Sequence, residues 1–147
     1  MTRDILLFLH IGTAILILGG LAFMEMVVPG MVRDGRENLP ALRKLHALSG
    51  VFGPSAAIVF LLGIALVLKT RFEFSETWLS ASMLLFIVAA VNGAVFKAKT
   101  MQRAITAIDE GHPVDAEASR LGMLGGINIL ILLTITYLMV AKPGGAG

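Results

Sequence analysis

Four stretches of this chain, at about 5–28, 46–68, 77–97 and 119–141, are apolar for roughly the length that a helix needs to cross 30 Å of hydrocarbon. No other feature restricts the fold as strongly. A segment surrounded by lipid must satisfy every backbone group internally, so each stretch is predicted to be a helix. Short links between them make neighbours antiparallel, and the expected fold is an all-α, integral membrane, antiparallel four-helix bundle forming one domain over 1–147. Composition agrees: 56% of residues are apolar, only 15% are charged, and the mean hydropathy is +0.85. A water-exposed globule carries about 25% charge.

Several local signals refine this expectation. Ile5 to Val28 exceeds the apolar core of a signal peptide and lacks an A-x-A cleavage site, so it reads as a retained helix that Pro29-Gly30 ends. Asn38 and Pro40 open the second helix as cap and first-turn proline, and Pro54 is expected to kink it. Trp78 is placed as an interfacial anchor of the third helix. That helix is expected to extend beyond the membrane to Asp109, because Met101, Ile105 and Ile108 keep helical spacing. Gly111-His112-Pro113 stops it, and Asp115 is a candidate cap for the last helix.

Arg33, Arg36, Arg43, Lys44, Lys97, Lys99, Arg103 and Arg120 fall on the side of the two larger loops, against Arg3, Lys69, Arg71 and Lys142 opposite. This asymmetry puts the larger loops, and the extension of helix three, in the cytoplasm and both termini outside. The formal charge is only +2, and the basic residues stand at helix ends, so lipid headgroups rather than nucleic acid are the expected partner. There is no cysteine, which excludes disulfides, thiolate metal sites and a cysteine nucleophile.

Few residues in the apolar helices carry chemistry. His10 lies about one and a half turns below the start of the first span, where neutral imidazole is both the mildest ionisable group and a common metal or haem ligand. The competing reading is an imidazole hydrogen-bonded to a neighbouring helix. His46, near the cytoplasmic entrance of the second helix, is the other candidate cofactor ligand; its plainer reading is an interfacial histidine. The two lie at opposite depths, which argues against one bis-histidine haem in a single chain and leaves one ligand each, a second subunit, or no cofactor.

Glu25 is the only acid inside a span, at a depth that Arg43, His46 and Lys97 can reach, and an ion pair or a proton relay is expected there. Asn92 and Asn128 read as interhelical glue. Gly12, Gly19, Gly20, Gly93, Gly122 and Gly126 mark expected packing seams, Gly122 and Gly126 forming a GxxxG spacing. The eight methionines, scattered through apolar helices, read as packing residues rather than a copper site. No phosphate-binding glycine loop, HExxH or serine elbow is present, and no catalytic residue is assigned.

Leu9-His10, Ala14 and Gly19-Gly20, with the closing Tyr137-Leu138-Met139-Val140-Ala141-Lys142-Pro143-Gly144, resemble the first-helix and last-helix patterns of small bacterial four-helix membrane proteins of unknown function. That family is distantly similar to HemJ-type protoporphyrinogen oxidases and CopD-type copper-resistance proteins. The resemblance implies a bacterial inner-membrane location and a b-type haem (heme b) held by His10. Three functions follow as expectations: a haem-binding protein or one serving beside a redox centre in membrane electron transfer; a non-catalytic accessory subunit that packs with other membrane subunits or with itself; and, with least support, a metal-ion permease.

Overall fold

The computed structural model describes residues 2–70 and 72–143, and throughout them the ordered elements are helical. Arg71, counted above among the basic residues, and Gly144 to Gly147 lie outside the described residues, as do the side chains of Thr2, Phe52 and Gly53. Helix α1 (Thr2–Thr13) passes through a π segment (Ala14–Leu18) into α2 (Gly19–Asp34), and a 3-10 turn (Gly35–Asn38) joins α2 to α3 (Leu39–Leu68). Helix α4 (Thr77–Val91) passes through a second π segment (Asn92–Lys97) into α5 (Ala98–Glu110), and α6 (Asp115–Ala141) closes the order.

Among the described residues three helical stretches are long and apolar enough to cross a membrane: Arg3–Leu68, Thr77–Glu110 and Asp115–Ala141. The sequence led us to expect four separate spans. The difference lies at residues 35–38, where a 3-10 turn carries the polar connection and the first two apolar runs become one helical stretch. Gly35 adopts φ +70°, a conformation that glycine reaches without a Cβ penalty, and the chain changes direction there. Beyond it α3 packs alongside α1.

Other local expectations are corrected. Pro29-Gly30 does not end the first helix; α2 continues to Asp34. Proline at 29 has no N–H to give to the carbonyl four residues back, which is that of Glu25, so the helix tolerates it at the loss of one bond. Asn38 stands at the cap position of α3 without capping it, its amide donating instead to Asp34 Oδ2 at 3.1 Å. Val114 precedes the first turn of α6, and Asp115 lies inside that turn. Trp78 is turned inward, 5% exposed, with its ring edge-on to Phe72 and its indole N–H donated to Glu76.

Helix α6 packs against both α2 and α4, while α3 packs against α1 and α5 and meets α4 at a stacked Phe60–Phe86 pair with centroids 5.2 Å apart. The largest buried apolar cluster is at the end where the basic loops gather. Val32, Leu42, Met101, Ala104, Ile108, Ala118 and Leu121 close there into a core. Burial is concentrated at that end because water, unlike lipid, drives apolar side chains inward. In the apolar spans large side chains face outward instead, Phe8 at 74%, Leu16 at 76% and Leu130 at 66% exposure.

Candidate functional site

Two polar positions stand out against this apolar background. The first is a cluster joining three helices. Glu25 on α2, buried, pairs with the ammonium of Lys97 and accepts a hydrogen bond from Asn128 Nδ2 at 3.2 Å. Asn128 Oδ1 in turn accepts from Asn92 Nδ2 at 2.8 Å, and the same Asn92 amide reaches the Leu124 carbonyl at 3.0 Å. Of the three partners the sequence offers Glu25, the structure selects Lys97. Arg43 is engaged elsewhere, 2.9 Å from Asp109.

The π segment explains how Asn92 and Lys97 serve one cluster. In an α-helix, residues five apart point about 140° away from each other, at roughly 3.6 residues per turn. A π turn closes i→i+5 rings and returns the chain to nearly the same face after about five residues. The extra residue therefore brings the amide of Asn92 and the ammonium of Lys97 to the side of α2 and α6. Close approach is completed by Gly125, where a Cβ would stand 2.8 Å from Glu25 Oε2 and 3.2 Å from the Glu25 carbonyl oxygen, the one that Pro29 leaves without its helical donor.

The second position is His10. Its Nδ1 lies 3.0 Å from the Val59 carbonyl on α3. A carbonyl can only accept, so Nδ1 carries the hydrogen and Nε2 is left as a bare lone pair, the arrangement in which imidazole binds a metal. The ring is half-buried and lies over Gly63, whose Cβ would meet Cε1 at 3.1 Å. Glycine is what lets the ring sit so close to α3. Gly63→Ala is expected to be at least about 1 kcal/mol more favourable in a His10→Ala chain than in the native one, since truncation removes the crowding. Thermal unfolding of the four chains in detergent gives that coupling directly, and strict additivity contradicts it.

One imidazole, and not a pair, would be available to hold a metal or haem at the depth of His10. His46 stands on α3, thirteen residues before Val59, which is about 20 Å along the helix. Its Nδ1 is buried without a hydrogen-bond partner. Among the described residues no three His, Asp or Glu side chains gather as a metal site. The expected glycine seams divide. Gly93 faces Asn128 at 3.9 Å and Gly122 faces Pro29 at 3.8 Å, whereas Gly12, Gly19, Gly20 and Gly126 have nothing within 4 Å of an added Cβ and are not seams within one chain. The GxxxG pattern is displaced by helical phase: Gly125, not Gly126, points at α2.

Sequence reasoning missed Val59, Gly63, Gly125 and both π segments. One signal was present, because a proline four residues after an intramembrane acid marks a carbonyl freed beside a carboxylate. The π segments leave no such mark in single-sequence periodicity.

Outward apolar side chains along helices of this length, with the charges at depth paired, define an integral membrane protein with several candidate spans. Residues 4–143 match the DUF2269 family, described as predicted integral membrane proteins, and the chain belongs to that family. No curated protein and no solved structure matches it.

Proposed function

We propose that this chain is a bacterial inner-membrane protein of four antiparallel spans, with the larger loops cytoplasmic and both termini outside, that holds a b-type haem through His10. The reversal at Gly35 and the packing of α1 on α3 support counting the first long stretch as two crossings. The observation carrying the haem reading is the bond from His10 Nδ1 to Val59, which fixes the ring and leaves the Nε2 lone pair available as a ligand. Bound haem supplies one-electron chemistry. The chain's own part is to hold the ring on α3 and to keep water from it with apolar helix faces. His46 has its own depth and does not share that iron.

The visible spectrum of the purified protein tests this reading. A Soret band is expected, lost in His10→Ala and retained in His46→Ala. Colourless protein from haem-replete cells, or a band indifferent to His10, refutes it.

A second reading, an accessory subunit packed against other membrane subunits or its own copies, is favoured by the open faces at Gly12, Gly19, Gly20 and Gly126. Colourless protein co-purifying in fixed stoichiometry with other membrane subunits would support it.

A further inference from the structure

We propose that the outer face of the helix Thr77–Glu110 carries a site for one anionic phospholipid, its acyl chain between α4 and α6 and its phosphate on Lys99 and Arg103. Two hollows that follow one another along this helix make up the site. The first, of about 450 Å³, is lined by Val88, Val91 and Phe96 on one side and Leu124 and Ile127 on the other. Asn92 also lines it, but its amide hydrogens are given to Leu124 and Asn128, so the lining presents an apolar surface. The second, a cleft of about 390 Å³, is lined by Lys99, Gln102, Arg103 and Thr106, which supply two cations and two neutral donors, and also by Ala107, Glu110 and His112.

Helical register places one hollow above the other. Phe96, Lys99 and Arg103 follow i, i+3, i+7 spacing, which keeps them on one face with Lys99 about 5 Å and Arg103 about 10 Å beyond Phe96. Lys99 and Arg103 are exposed and take part in none of the ion pairs among the described residues. Lys97, by contrast, is committed to Glu25. Glu110, at the far end of the cleft, faces His112 at 3.2 Å and not the two cations. An apolar furrow ending under two unpaired cations matches a molecule with an apolar tail and an anionic head. A neighbouring transmembrane helix would cover the furrow and leave the charges without a counter-ion.

Each Lys or Arg near an anionic lipid surface contributes about 5-fold, so removing both is expected to weaken retention roughly 30-fold. Native mass spectrometry of the full chain, loaded with dioleoylphosphatidylglycerol or dioleoylphosphatidylcholine, tests this. The expected result is one phosphatidylglycerol retained at least about 10-fold over phosphatidylcholine. Lys99→Gln/Arg103→Gln should abolish that preference. Leu124→Trp, which fills the furrow with the cations intact, should abolish retention. Arg33→Gln/Lys44→Gln, on the same side but outside the site, should change neither. Equal retention of both lipids, an equal loss in the Arg33/Lys44 chain, or normal retention in Leu124→Trp overturns the proposal. Displacement by millimolar inorganic phosphate also overturns it, by showing a site for a free anion. Elution as a single species identifies variants that keep their fold, and the two substitution sites fail independently.

Discussion

Lys97→Ala is expected to destabilise the protein by about 3–5 kcal/mol, far more than any exposed lysine, because it leaves a buried carboxylate without its counter-charge. The Glu25 side chain is 5% exposed and that of Lys97 is 21%, so neither end of the pair is screened by bulk water. Glu25→Ala should fall in the same range, tempered by the ability of the long lysine side chain to reach the interface. The double change Glu25→Gln/Lys97→Met should cost less than Lys97→Ala alone, since replacing both charges by groups of similar size removes the desolvation penalty together with the attraction. A double-mutant cycle by thermal or denaturant unfolding in mixed micelles measures the coupling. Additive single effects would mean the pair is not coupled through space. By comparison Arg43–Asp109, with both side chains more than half exposed, is expected to contribute under about 1 kcal/mol.

Gly125→Ala and Gly126→Ala are expected to act in opposite directions, although the two glycines are adjacent in the same helix. At 125 the new methyl would lie 2.8 Å from Glu25 Oε2, 3.2 Å from the Glu25 carbonyl oxygen and 3.3 Å from its Cβ. None of these atoms moves freely. One oxygen is tied by Lys97, the other by Asn128, and the carbonyl belongs to the backbone of α2. Overpacking of this kind costs about 1–3 kcal/mol, and spreading α2 from α6 would also break the Asn128 bond, placing the change at the upper end. At 126 nothing lies within 4 Å, and alanine gains up to about 1 kcal/mol from its better helix propensity. Midpoints of thermal unfolding in one detergent distinguish them; equal shifts would show that α2 and α6 do not approach at Gly125.

The comparison of these two glycines shows how far sequence reasoning extends. Small residues near 122–126 announced that some close contact was there, and the spacing could not say which glycine made it, since helical phase relative to a partner is a tertiary quantity. The same holds for Glu25. Its isolation among apolar residues announced a partner, while the choice among Arg43, His46 and Lys97 depended on a π turn that rotates Lys97 into reach. Trp78 is the reverse case. Aromatic residues near a span end suggest a lipid-facing anchor, but Phe72 from the preceding link and Lys142 from the far end of the chain come together around its ring and take it inward.

By itself the sequence determined that the chain is helical and belongs in lipid, for a reason that acts residue by residue: apolar length and unsatisfied backbone admit no other solution in a bilayer. It also determined which few side chains would need partners there. Tertiary structure decided the rest: that the first two apolar runs join through a helical turn at Gly35, that Val59 holds His10, and that Glu25 meets Lys97, Asn128 and Gly125. Those outcomes depend on the rotation of one helix against another. A single inserted residue in the helical ladder changes that rotation without altering the composition or the apolar length of a span.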